Sequence, residues 1–272
     1  MEEEIFKSVF KTSKPMIGMV HFKALPGSPL YDKEAGINGI LKSLEKDLIA
    51  LQEGGIDAVM FGNENDRPYQ LKASPATVAT MSYVIGKLSS IIEIPFGVDV
   101  LWDPISTLAV AKATGASFVR EIFTGVFGGD LGLWNTDCGE ALRFRRAIDA
   151  DDLILLFNIN AEFSTYIGTR SIEETAKSVV FSSLADVICV SGGITGEEVN
   201  LSILKKVKET IPGTKVFANT GVNINNVEQI LRIADGVVVG TSLKRDGITW
   251  NEVEKDRVIN LMQKANKTRG SI

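Results

Sequence analysis

Val216-Phe217-Ala218-Asn219-Thr220-Gly221 and Val237-Val238-Val239-Gly240-Thr241-Ser242 are two short apolar runs, each passing directly into glycine and small polar residues. Runs of this length, bounded by turn residues and followed by an amphipathic segment, have the pattern of strands in a parallel sheet covered by helices. Glycine at such an exit lets the backbone approach an anion that a side chain would hold off. The free N–H groups of two neighbouring turns can then cradle a phosphate.

The same alternation continues outward to both ends of the 272-residue chain. Strands are expected at residues 16 to 21, 56 to 62, 95 to 101, 117 to 122, 153 to 160, 186 to 191, 215 to 220 and 236 to 240. Eight such units without a linker predict a single (β/α)8 TIM barrel of the α/β class over residues 1–272. Residues 1–15 are expected as a short extension, helical over 4 to 11, packed under the barrel.

The intervening segments support helices. Ile37, Leu41, Leu44, Leu48 and Leu51 form one apolar stripe that ends at Gly54-Gly55. Ser74-Pro75 and Asp103-Pro104 each pair a capping residue with a first-turn proline, and Ser171 with Glu174 makes a capping box. Asn223 is expected to cap the helix carrying Val227, Ile230 and Leu231.

Hydrophobic residues at 44% and charged residues at 23% allow a large core. A net charge of -5 and a pI near 5.2 leave no electrostatic footprint for nucleic acid or an anionic membrane. Cys138 and Cys189 are too few for a disulfide framework, Met1-Glu2-Glu3-Glu4 lacks the positive charge of a signal peptide, and no apolar run reaches the length of a membrane span. A cytoplasmic protein without membrane insertion is expected.

Loops after strands lie on the C-terminal rim, where barrel enzymes place their active sites. The long connections 22 to 36 and 123 to 137 are therefore lid candidates or static surface loops. In the fifth strand Asn158, Asn160 and Glu162 alternate and share the face toward the mouth. The asparagines could orient substrate hydroxyls, while Glu162 moves a proton or is merely solvated.

Phe61-Gly62-Asn63-Glu64-Asn65-Asp66-Arg67-Pro68 is dense in polar groups. Asn63 is a candidate substrate contact and Glu64 a general base. Glu64 with Asp66 also offers hard oxygen ligands for Mg²⁺ or Mn²⁺, although no cofactor is required. His21, the sole histidine, closes the first strand as an acid/base group or phosphate donor. Asp99, inside a strand, needs a partner, and Arg120 is the natural one, with Glu121 on the opposite face. Arg120 could equally grip the substrate. Ser191 and Asn219 are further substrate contacts. Gly193, Gly221, Gly240, Thr241 and Ser242 are the phosphate-binding candidates, with Lys244 neutralising charge from the rim. One histidine and two scattered cysteines do not make a zinc site, and no strand lysine stands where a Schiff-base nucleophile is expected.

Ile17-Gly18-Met19-Val20-His21 leading into Leu25-Pro26-Gly27-Ser28-Pro29, then Gly62-Asn63-Glu64-Asn65-Asp66-Arg67-Pro68, Trp102-Asp103-Pro104, Phe118-Val119-Arg120 and Val239-Gly240-Thr241-Ser242-Leu243-Lys244, resemble the BtpA/SgcQ family over nearly the whole chain. The resemblance implies a barrel similar to the ribulose-phosphate-binding superfamily, whose relatives bind phosphorylated sugars or their derivatives at the seventh and eighth loops. It implies no settled reaction: some members are named for photosystem I biogenesis, others associated with carbohydrate genes. Asn158-Ile159-Asn160-Ala161-Glu162-Phe163 stands where one family form has Lys-His-Ala, and the seventh loop has one glycine where a Gly-Ser-Gly form has two.

Three functions are expected to compete. The first is an enzyme acting on a phosphorylated sugar or related phosphometabolite by acid/base chemistry of isomerase, epimerase or lyase type. The second is a non-catalytic phosphate-ligand barrel serving as an assembly factor for a membrane complex. The third is a hydrolase or transferase on a phosphorylated nucleoside. A homo-oligomer is expected in each case.

Overall fold

The computed structural model describes residues 3–272. Its strands are β1 (Met16–His21), β2 (Ala58–Gly62), β3 (Phe96–Asp99), β4 (Phe118–Glu121), β5 (Val126–Gly129), β6 (Gly132–Asn135), β7 (Ile154–Asn158), β8 (Ser164–Tyr166), β9 (Val187–Val190), β10 (Lys215–Ala218) and β11 (Gly236–Val239). Eight close into a parallel barrel in the order β1-β11-β10-β9-β7-β4-β3-β2, a TIM barrel.

The helices are α1 (Glu3–Phe10), α2 (Gly36–Glu53), α3 (Pro75–Leu88), α4 (Pro104–Thr114), α5 (Cys138–Ala147), α6 (Ile172–Ser182), α7 (Leu201–Thr210), α8 (Val227–Ile233) and α9 (Lys255–Arg269). Caps account for several starts. Ser74 accepts from the Thr77 N–H, Asp103 from Ser106, and Ser171 with Glu174 forms a reciprocal capping box. Asn223 does not cap α8. Its side chain is bonded into the preceding turn, and the residue at the N-cap is Asn226.

Because side chains alternate along a strand, each barrel strand serves two cores. Val20, Val59, Val98, Val119, Phe157 and Ile188 face the helices. Ile17, Met19, Met60, Phe118, Leu156, Cys189, Phe217 and Val238 fill the lumen. Phe6 and Phe10 of α1 join this inner cluster from below, with ring centroids 6.1 Å from Phe217 and 5.2 Å from Phe118 respectively. The lower lumen is therefore packed with apolar side chains, and the upper end is left for polar ones.

The connection over residues 123 to 137 is not an open loop. It folds as the antiparallel pair β5–β6, and β8 adds a third strand. Trp134 and Phe127 of this small sheet pack with Trp102, Ile122 and Ala161 in a separate apolar cluster that Tyr69 and Phe163 extend. Among the described residues no helix is long and apolar enough to cross a membrane. Cys138 and Cys189 are free thiols.

Candidate functional site

One step above the apolar lumen, the inward positions become polar. Continuing the alternation, they are His21 on β1, Gly62 on β2, Asp99 on β3, Arg120 on β4, Asn158 on β7, and Ser191, Asn219 and Gly240 at the exits of β9, β10 and β11. Above them opens a cavity of about 520 Å³ whose lining includes His21, Glu64, Asp99, Arg120, Asn158, Glu162 and Asn219.

Arg120 crosses the lumen. One guanidinium nitrogen pairs with Asp99 on the neighbouring strand, and the other donates to Asn219 Oδ1 at 2.8 Å on the far side. Asn219 Nδ2 in turn donates to Ser191 Oγ at 2.8 Å and Asn158 Oδ1 at 3.1 Å. This network spans the mouth, and the multiple acidic neighbours of Arg120 keep it charged.

Glu121 departs from expectation. It was expected to turn away from the mouth, yet it is 3% exposed, lines the same cavity and shares a hydrogen bond with Asp99. Burial pushes both carboxyls up, Glu121 well above the usual range, while Arg120 pulls Asp99 down. The proton of this pair therefore rests on Glu121. As the last residue of β4, Glu121 has room to fold back: Oε2 accepts from the Ile122 N–H at 2.9 Å.

Glu64 and His21 form the other titratable pair. His21 Nε2 lies 3.5 Å from Glu64 Oε1, and each residue is 5% exposed. Gly62 makes the placement possible, because a Cβ there would sit 2.7 Å from Glu64 Oε2. Glu64 thus folds back over the bare backbone to occupy the β2 position in the ring. Among the described residues its Oε2 has no hydrogen-bond partner. Burial first, and Asp99 second, push the Glu64 carboxyl up to about 8. Burial, with Lys244 next, holds the His21 imidazole well below its ordinary range. At neutral pH the pair is a protonated acid beside a neutral imidazole. Glu162, half-buried, accepts from Thr195 Oγ1 at 2.6 Å, and burial raises its carboxyl.

The turns after β10 and β11 line the cavity with Gly221, Val222, Gly240, Thr241 and Ser242. Among the described residues the backbone N–H groups of Gly221, Val222, Thr241 and Ser242 donate to no protein acceptor. Ser242 Oγ donates to Val222 O at 2.6 Å and fastens the two turns together. Gly221 has a φ of +64°, and a Cβ there would lie 2.3 Å from the Glu198 Cα, so only glycine fits. Arg257 on α9 reaches the same rim.

Several candidates take other roles. Lys244 is not on the rim. It is 1% exposed, buried behind the turn, and its Nζ pairs with Asp47 Oδ2 of α2 at 2.5 Å. Gly193 does not line the cavity, because its N–H is taken by Glu197 Oε2 at 3.0 Å. Thr195 and Gly196 from that turn line it instead. Asn160 is engaged with the Ser191 backbone in both directions, and Ser191 lies beneath Asn219. In the cluster after β2 only Glu64 faces the large cavity. Asn63 accepts from Leu101 N–H at 2.8 Å and Asp66 from Leu25 N–H at 3.2 Å, so both fasten neighbouring loops. Of the oxygen set expected for a divalent cation, Glu64 lines the large cavity and Asp66 a separate small one, and among the described residues no group of three or more acidic, histidine or cysteine side chains is arranged to hold a metal. Tyr69, Trp102 as a wall, Thr195 and Arg257 also line the cavity without having been expected there. Only the aromatic character of the first two, within a polar stretch, was a signal.

Residues 12–267 match the sequence model of the BtpA family. Among curated relatives, the sgc region protein SgcQ of Escherichia coli (strain K12) is 48% identical over 97% of this chain and 98% of its own length. The photosystem I biogenesis protein BtpA of Synechocystis sp. is 32% identical over 92% of this chain and 87% of its own. Solved structures with the same fold include the thiamine phosphate pyrophosphorylase of Pyrococcus furiosus, with a TM-score of 0.55 at 18% identity over 94% of this chain and 96% of that one. The N-(5'-phosphoribosyl)anthranilate isomerase of Pyrococcus furiosus gives 0.54 at 13% identity over 93% and 99%.

Proposed function

The chain belongs to the BtpA family, and from that footing we propose that it is an enzyme acting on a small phosphorylated molecule by proton transfer at the barrel mouth. Glu64 is the observation that carries this reading. A carboxyl that is 5% exposed, leaves one oxygen unbonded and has its pKa near 8 costs stability wherever it serves no reaction. A group poised near neutral pH is what general acid/base chemistry needs.

In this reading the unbonded amides of Gly221, Val222, Thr241 and Ser242 receive the phosphate, with Arg257, paired to Glu254 at 2.6 Å, beside them at the rim. Arg120, held by Asp99 and Asn219, positions substrate oxygens together with Asn158. Glu64 in its acid form delivers a proton, and neutral His21 or Glu162 accepts one. Isomerisation, epimerisation and carbon–carbon cleavage all move protons at or beside a reacting carbon. No lysine lines the cavity, so a Schiff-base route has no support. The phosphorylated compounds in the names of the two Pyrococcus furiosus barrels accord with a phosphate at this end, although their likeness to this chain is one of fold.

A thermal-shift and turnover panel of phosphorylated sugars, phosphorylated nucleosides and inorganic phosphate tests the reading, because a ligand that binds only the folded state raises its melting point. Stabilisation by phosphoesters, with E64Q retaining binding and losing turnover, is the expected result. Stabilisation without turnover of any compound would favour a ligand-binding barrel that assists assembly, the role in the name of the Synechocystis relative. No stabilisation by any phosphoester would contradict the proposal.

A further inference from the structure

The cavity has two chemically different walls, and the barrel order sets them opposite each other. From β3 to β10 is four steps through β2, β1 and β11, and from β4 to β11 is also four, so these strands face across an eight-stranded barrel. Gly221, Val222, Thr241 and Ser242 follow β10 and β11. Leu101, Trp102 and Ile122 follow β3 and β4 and, with Tyr69, line the opposite side.

This second wall is built rather than incidental. Trp102 is 6% exposed, and its indole is braced edge-on by Trp134 at 5.2 Å and by Tyr69 at 5.9 Å. Tyr69 is itself fixed through its hydroxyl, which donates to Glu64 O at 3.0 Å. Trp102 has a φ of +73°, uncommon for a bulky residue, and among the described residues its buried indole N–H has no acceptor. A wall of Leu101, Ile122 and two aromatics offers nothing to a sugar hydroxyl. It suits the face of a flat, unsaturated ring.

We propose that the ligand of this cavity is a phosphorylated sugar bearing a planar heterocycle, of the nucleoside monophosphate class. Its phosphate sits on the β10–β11 turns, and its ring lies against Trp102. The inference rests on the phosphate reading above and adds the second wall to it. The acid/base pair then lies between the two anchors, beside the sugar and its bond to the ring. A cavity of about 520 Å³ is also more than a bare anion needs.

Calorimetric titration of the full chain with inorganic phosphate, ribose 5-phosphate, uridine, uridine 5'-monophosphate and adenosine 5'-monophosphate tests this. At least one nucleotide should bind about tenfold or more tighter than ribose 5-phosphate, the gain expected from packing a ring on an aromatic wall. W102L should remove that advantage while leaving ribose 5-phosphate affinity unchanged. W102F keeps a ring in place should the leucine variant not fold, and should retain most of the advantage. Equal affinity for ribose 5-phosphate and both nucleotides overturns the ring wall and leaves the phosphate turns standing. Equal weakening of every ligand by W102L or W102F also overturns it. Binding of uridine with no benefit from its phosphate overturns the phosphate reading instead, and binding of nothing overturns both.

Discussion

His21 Nε2 and Glu64 Oε1 stand 3.5 Å apart at the top of the lumen, each shut off from solvent, with the usual ionisation of both suppressed. Glycine on either side makes this arrangement possible. Gly62 leaves room for the Glu64 carboxyl, and a Cβ at Gly240 would come within 3.1 Å of the imidazole.

The raised Glu64 carboxyl makes stability depend on pH. Its protonated form contributes fully below the unfolded value near 4.5, and that contribution is lost as the pH rises toward about 8. His21 acts in the opposite sense, because its folded pKa is depressed and the unfolded chain takes up protons first as the pH falls below about 6.5. E64Q mimics the protonated acid and removes one titration. Its melting temperature should match the parent at about pH 5 and exceed it by several degrees at about pH 9. A constant difference across that range would show that Glu64 titrates normally.

Gly62→Ala tests whether the inward carboxyl needs the missing side chain. The added methyl would lie 2.7 Å from Oε2, so the carboxyl must swing away. A stability loss of about 1–3 kcal/mol is expected from the overpacking, with turnover falling as far as in E64Q. Full turnover in G62A, measured beside its unfolding curve, would mean that Glu64 does not act from this position.

Ser242→Ala removes the 2.6 Å bond to Val222 O that fastens the two terminal turns. The expected cost is about 1 kcal/mol in urea unfolding. Phosphoester affinity should fall as well, because the amides of both turns lose their common register. Loss of stability with unchanged affinity would separate that fastening from ligand binding.

Lys244→Met strands the Asp47 carboxylate, which is 3% exposed and among the described residues then keeps only the Val253 N–H, at 2.7 Å. Removing one partner of a buried pair costs about 3–5 kcal/mol, so K244M should unfold at markedly lower denaturant. The double variant with D47L should recover much of that loss. Failure of the double variant to recover would point to a role for Lys244 beyond the pair.

Much of the barrel is legible in the chain, because each strand is an apolar run ending in turn residues and most helices declare a cap or a stripe. The polar ring is legible for the same reason: Asp99, Arg120 and Asn158 sit at strand ends on the inward parity. What escaped depends on contacts between distant segments. Lys244 follows a strand and reads as a rim cation until Asp47 is considered. That acid stands among Leu44, Leu48 and Leu51 on the buried stripe of α2, which was the available signal. Glu121 escaped because a residue at a strand terminus can turn its side chain against the alternation. The β5–β6–β8 sheet escaped because its strands are only three or four residues long and two of them carry glycine. Gly193 misled because a glycine turn shows no sign of the nearby Glu197 that caps its amide.

Amide NMR of the ¹⁵N-labelled protein during titration with ribose 5-phosphate tests the central claim most directly, since it reports on the groups proposed to hold the phosphate. Saturable shifts at Gly221, Val222, Thr241 and Ser242, sharing one dissociation constant, are the predicted result. Shifts confined to other parts of the surface, or none at these four amides while the ligand binds, would contradict it.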